Sequence, residues 1–424
     1  MSRSSARAAR IAAVTILTAS VTACGISSTG APGPSSPGSP SGTPVVVGMT
    51  VSLTGDFSAD GKAVLKGYQL WRDDVNSHGG LLGRPVQLAY FNDNSDPATV
   101  TRDYTALITQ KNVNLLLGPF SSVLTVPAAR VAHKYGYALV EGSGTAPAVY
   151  NLSLSNLFGV SAPVASQMVP FASWVASLPV GTRPQRAAYA MVNDPFADPP
   201  LIAARRILER AGITTVYDNQ TQPLPASASQ AALAAAADKV AAQRPQIVLI
   251  GSVDVPTVSA FINEFKRLGF NPQMLIAAAG PDQGQAFTSA VGAGNASGIM
   301  VPNGWYPDYP NSASQQMVKE YIAKYGGSAS DVNADVAEAY SVGQVLAQAV
   351  QHTGGFDQAK INSYLHSGVT LDSVQGPVKF DSLGENTAGK TLTFQWQAGN
   401  LVQSIPTNAA GSKPPLFPKP NWTG

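Results

Sequence analysis

Residues 114–149, NLLLGPFSSVLTVPAARVAHKYGYALVEGSGTAPAV, restrict the fold more than any other part of the chain. Leu115–Leu117 and residues 138–140 are short, uninterrupted apolar runs, the first followed by Gly118 and the second by Glu141 and Gly142, which suits central strands of a parallel sheet, buried on both faces. The stretch reads as strand, hydroxyl-rich loop, helix, strand and a second hydroxyl-rich loop. In an open α/β sheet, ligands bind beyond the carboxyl ends of the strands. Ser121, Ser122, Ser143 and Thr145 fall at those ends. Their hydroxyls, their small neighbours and the positive end of a helix starting near Ser122 suit a carboxylate or another small polar group. The same residue types also cap helices and form turns.

The flanking sequence repeats this β-α pattern. Strands are expected from Val45, over 86–91 and over 157–161, and helices over 62–76 and after Asp96, with Pro97 in the first turn. Residues 54–61, TGDFSADG, read as the loop after the first strand. A second run follows, with helices over 167–178, 201–211, Gln230–Ala242 and 258–268. Its strands are expected over 186–193, 214–217, 246–251, 274–278 and 299–302. Helices over 314–325, 335–352 and Gln358–Leu365 come next, then strands over 378–380, 392–396 and 401–404, and a Pro-rich tail (406–424) expected to be loose. With 424 residues the chain is too long for one ordinary core, so two doubly wound α/β lobes are expected.

The N-terminus reads as a targeting segment over 1–23. Arg3, Arg7 and Arg10 precede an apolar run too short to span a bilayer. The run ends VTAC, and Cys24 is the only cysteine. VTAC resembles the lipobox of bacterial lipoproteins, which implies a lipidated Cys24 and an extracytoplasmic protein anchored to the membrane. An ordinary secretory signal cleaved after Ala23 is the other reading. A single cysteine leaves no internal disulfide. Residues 25–43 are almost wholly Gly, Ser, Pro, Ala and Thr and read as a flexible tether. Setting aside the three N-terminal arginines leaves 24 of 27 basic residues against 25 acidic ones, so a nucleic-acid partner is not expected.

The order VGMTVSLTGDFSADG, NSHGGLLGRPVQL, FNDNSDPATV, LLLGPFSS, GSGTAPAV and GPVKFDSLGEN resembles that of the type I periplasmic substrate-binding proteins, the branched-chain amino acid (Leu/Ile/Val) receptor family of ABC transporters. The resemblance covers about residues 45–405. It implies two α/β lobes joined by three crossings, 45–161 plus 304–375 and 162–303 plus 376–405. The lobes would close on a small ligand and present it to a membrane permease. It implies that Ser121, Ser122, Ser143 and Thr145 hold an α-carboxylate. It also implies that Asp282 holds an α-ammonium, although GPDQGQAF equally resembles a helix entry capped by Asp282. Phe196 stands where relatives often have tyrosine, and Asp60 where an apolar group often meets the ligand. Asp194 and Asp254 also sit near strand ends. Extra acids suit a ligand more polar or more positive than leucine. Trp305, in NGWYPDYP, is a further candidate for the cleft.

No cofactor or metal site is expected. The four histidines are scattered, and no HxxxH or Cys/His spacing exists. There is no GxSxG elbow, and Pro147 stands where a dinucleotide fingerprint needs its third glycine. An enzyme is therefore not expected. The alternatives are the same fold binding an amide, a urea or an aromatic acid, or acting as a ligand sensor.

Overall fold

A computed structural model describes residues 39–409 and 411–423. The targeting segment, Cys24 and the tether up to residue 38 lie outside the described residues. No helix among the described residues is long and apolar enough to cross a membrane.

The first lobe alternates β1 (Val45–Val51), α1 (Ser58–Ser77), β2 (Val86–Asn92), α2 (Pro97–Thr109), β3 (Leu115–Leu117), α3 (Ser122–Lys134), β4 (Leu139–Glu141), α4 (Pro147–Tyr150) and β5 (Leu157–Gly159). Its strands form a parallel sheet in the order β2-β1-β3-β4-β5. As expected, Asp96 caps α2 by accepting a bond from the Thr99 N–H, with Pro97 in the first turn. The α1 helix starts a turn earlier than the sequence pattern indicates. Asp60 therefore lies in its first turn and not in a loop, a position where the helix dipole favours a carboxylate.

The second lobe continues with α5 (Val169–Ser177), β6 (Arg186–Ala190), β7 (Val192–Asn193), α6 (Asp198–Arg210), β8 (Thr214–Asp218), β9 (Leu224–Pro225), α7 (Gln230–Ala242), β10 (Ile247–Ile250), α8 (Val255–Arg267), β11 (Met274–Ala277), α9 (Gly284–Val291), α10 (Ala293–Ala296) and β12 (Ile299–Asn303). The chain then returns to the first lobe with α11 (Ser312–Tyr325), α12 (Ala334–Thr353) and α13 (Gln358–Leu365). It ends in the second with β13 (Leu392–Gln397) and β14 (Asn400–Ile405). The second sheet has the order β14-β13-β12-β11-β10-β6-β8, parallel except for its last two strands.

The α12 helix lies against α1, and glycines set the spacing. A Cβ at Gly67 would stand 2.3 Å from the Val336 carbonyl, and one at Gly343 would stand 2.2 Å from the Trp71 ring. Trp71, Tyr68, Val336, Ala339 and Val345 share one core with the β1 residues Val47 and Met49. Residues 378–380 are not a strand. Val378 and Phe380 make only isolated bridges, to Leu371 and Asn386, and both are buried in that same first core. The third crossing therefore falls near 389–391. There the Thr391 hydroxyl donates to the Ser166 carbonyl at 3.3 Å, beside the first crossing.

The tail is also different from expectation. The Lys419 N–H donates to the Gln273 carbonyl (2.8 Å), the Trp422 indole N–H to the Phe270 carbonyl (2.8 Å), and Phe417 packs on Trp174. Prolines stiffen an extended segment at little entropic cost, and the aromatic residues between them supply apolar surface for docking onto the second lobe.

Candidate functional site

The two lobes face each other across a small cavity that opens to solvent. The loops after β3 and β4 bring Phe120, Ser121, Ser143 and Thr145 to its wall, as expected from short parallel strands ending in small polar residues. The first turn of α1 adds Asp60, and α12 adds Asp335 and Glu338. The second lobe contributes Phe196, Val253, Asp282, Gln283 and Asn303, and Gln167 enters from the first crossing.

Ser121 has φ +69°, and its hydroxyl accepts the Leu124 N–H, so it caps α3 and borders the cavity at once. The Ser143 hydroxyl donates to Glu338 at 3.0 Å. The Thr145 hydroxyl is buried and finds no partner among the described residues. Beneath this corner Glu141 is fully buried, accepting bonds from the Gly144 N–H and the Tyr150 hydroxyl, and burial pushes its pKa up to about 7.

Asp282 does not cap a helix. One carboxylate oxygen accepts the Gly280 N–H at 2.9 Å and the other accepts Asn303 Nδ2 at 3.2 Å. Gln283 occupies the start of α9, which has no side-chain cap. Burial holds the Asp282 carboxyl above its ordinary pKa. Burial first, then the negative charges of Asp335 and Asp282, pushes Asp60 well up. Burial and then Asp282 push Asp335 up to about 7, and burial and then Asp335 raise Glu338.

One side chain crosses between the lobes inside the cavity. Gln283 Nε2 donates to Asp60 and, at 3.2 Å, to Asp335, while its carbonyl oxygen accepts Asn333 Nδ2 at 3.0 Å. The same Asn333 nitrogen donates to Asp335 at 3.2 Å.

Three residues expected at the site stand apart from this wall. Ser122 is fully buried, and its hydroxyl accepts the Ala146 N–H at 3.2 Å, tying α3 to the next loop. Asp254 caps α8 through the Thr257 N–H at 2.7 Å. Trp305 packs in the first core, donates to the Ser314 hydroxyl at 2.8 Å, and borders the adjoining groove. Asp194 accepts the Phe196 N–H at 2.7 Å and so holds that loop.

Sequence reasoning missed Gln167, Gln283, Asn303, Asp335 and Glu338. The two acids carried a readable signal. They lie three apart, on one face of a helix whose other neighbours (Ala334, Val336, Ala337 and Ala339) are apolar. Among the described residues no group of three or more His, Cys, Asp or Glu is arranged to hold a metal ion. Polar groups converging between apolar side chains in a concave inter-lobe site suit a small molecule.

The profile of a family described as periplasmic binding protein matches residues 44–400. The Leu/Ile/Val-binding protein BraC3 of Rhizobium johnstonii is 21% identical over 361 residues, covering 84% of this chain and 93% of that one. The fold is similar to that of the leucine binding protein LivK from Thermotoga maritima (TM-score 0.74, 18% identity, 86% of this chain and 100% of that one). It is also similar to an R. palustris ABC transporter solute binding protein in complex with benzoate (TM-score 0.71, 17% identity, 85% of this chain and 95% of that one).

Proposed function

The chain belongs to the periplasmic binding protein family, and from that premise we propose that it is the extracytoplasmic solute-binding lipoprotein of an ABC importer, taking an amino acid or a related small amino-bearing carboxylate between its lobes. The observation that carries this reading is Asp282. It is a half-buried carboxylate on the wall of an inter-lobe cavity, whose hydrogen-bond donors among the described residues are neutral and which is free of any capping duty. A partly buried charge of this kind favours an ammonium partner. Ser121, Ser143 and Thr145, with the start of α3, supply the hydroxyl-rich corner for the carboxylate. The crossings near 166, 304 and 390 are the proposed hinge. The proposed moving bodies are about 45–161 plus 304–388 and 162–303 plus 389–405, the segment 376–388 being moved from the second to the first because Val378 and Phe380 lie in the first core.

Phe120, Phe196 and Val253 in the wall favour one second reading, an aromatic acid, as in the solute-binding relative found with benzoate. A thermal-shift screen of amino acids, amides and aromatic acids separates the two. At ligand one hundred times Kd the stabilisation is expected to be about 2.7 kcal/mol. Absence of a shift with every amino acid sinks the amino-ligand reading.

The membrane anchor has its own test. Cys24→Ala is expected to move the protein from the membrane pellet to the soluble fraction. A variant that stays with the membrane contradicts the lipobox assignment.

A further inference from the structure

Four carboxylates line the cavity, those of Asp60, Asp282, Asp335 and Glu338, and no lysine, arginine or histidine among the described residues lines it with them. A zwitterionic amino acid brings one ammonium and one carboxylate. Pairing that ammonium with Asp282 leaves three acids facing each other and adds a fourth negative group. Like charges gathered in a poorly solvated space are destabilising unless protons or a cation join them, and a cationic ligand group does so while keeping the acids ionised.

The geometry on the first-lobe side already has the form of a nitrogen seat. A single nitrogen, Gln283 Nε2, reaches both Asp60 and Asp335, and Asn333 Nδ2 donates to Asp335 from the side. These donors are neutral amides. They satisfy acceptor oxygens and cancel no charge. Glu338 follows one turn along α12, and among the described residues the Ser143 hydroxyl is its one hydrogen-bond donor. A separate observation points to a missing occupant. The Thr145 hydroxyl, in a residue 3% exposed on the wall of the same cavity, has no partner among the described residues. An orphaned buried hydroxyl costs stability unless a guest completes its bonding.

We propose that the ligand carries two cationic nitrogens, one paired with Asp282 and a second held on the opposite wall by Asp60, Asp335 and Glu338. This rests on the reading of the inter-lobe cavity as the ligand site and narrows its ligand class to amino acids with a basic side chain or to short diamines. The second nitrogen takes the place that the Gln283 amide occupies between Asp60 and Asp335. A ligand carboxylate meets the Ser121–Thr145 corner, where Glu338 stands close by through Ser143. The site therefore discriminates most sharply on positive charge.

Titration calorimetry of the mature protein with L-lysine, L-ornithine, 1,4-diaminobutane, L-leucine and benzoate tests this. The basic amino acids are expected to bind about tenfold or more tighter than leucine, one additional charge-assisted pair being worth at least that factor. Tight binding of the diamine as well supports the two-nitrogen assignment and removes the need for a carboxylate. Leucine binding as tightly as lysine overturns the inference and leaves the amino-acid reading standing. Binding of benzoate alone, or of none of the five, overturns both. Asp60→Asn supplies a second measurement. It is expected to collapse the lysine-to-leucine ratio toward one, and an unchanged ratio removes Asp60 from the seat. The ratio does not depend on the fraction of protein folded, so a destabilised variant still decides the question.

Discussion

Asp282→Asn is expected to weaken binding of an amino-bearing ligand by about 2–5 kcal/mol, roughly thirtyfold to several thousandfold in Kd. The substitution keeps the shape of the side chain, and the amide oxygen can still accept the Gly280 N–H. What disappears is the charge, together with the acceptor that the second oxygen gives the long Asn303 Nδ2 bond. In the empty protein that loss is mild or even favourable, because burial already disfavours ionisation of this carboxyl and no cation offsets it. In the complex the loss is large, because the ligand ammonium then sits desolvated beside a neutral amide. The result to look for is therefore a split. Melting of the unliganded variant stays close to that of the parent or rises, while calorimetric affinity collapses. Equal affinity in both proteins removes Asp282 from ligand recognition.

Trp71→Ala carries the second large effect, about 3–5 kcal/mol of lost folding stability. The indole is 1% exposed and fills the space between α1 and α12 that Gly343 leaves open. Gly343, the residue directly beneath the ring, has no side chain to move into the vacated volume. Part of the packing gain is already offset in the parent, since the indole N–H is buried without a partner among the described residues. Trp71→Phe, which removes that orphaned donor and keeps a ring, is accordingly expected to cost much less than the alanine change. Urea unfolding of both variants checks the ranking. Because α1 carries Asp60 and α12 carries Asp335 and Glu338, the alanine variant is also expected to bind more weakly while still folded.

Much of the architecture was legible from local pattern. Gln230–Ala242 and Gln358–Leu365 lie at the expected residues, and Asp96 with Pro97 starts its helix as expected. Short apolar runs with a glycine one or two residues beyond placed β3 and β4, and with them Ser121, Ser143 and Thr145. Failures came where a tertiary partner decides the outcome. Residues 378–380 alternate like a strand, but their bonding partners are single residues, and their side chains complete the first core. The tail looked loose because proline content says nothing about a waiting surface. Ser122 and Ser121 are chemically alike, and only the turn geometry sends one hydroxyl inward to Ala146 and leaves the other on the cavity. Gln283 carries no motif. Its role exists only because the second lobe is folded opposite the first.

That glutamine has a kinetic consequence. On the two-nitrogen proposal, a protein arm that bridges these two carboxylates is an internal rival for the guest, so occupancy would be an exchange and not a simple filling. Arrival is slowed by the need to dislodge the amide, and departure is eased because the amide stands ready to re-engage as the guest loosens. In the proposed importer role, a built-in competitor would shorten residence time without weakening the contacts that choose the ligand.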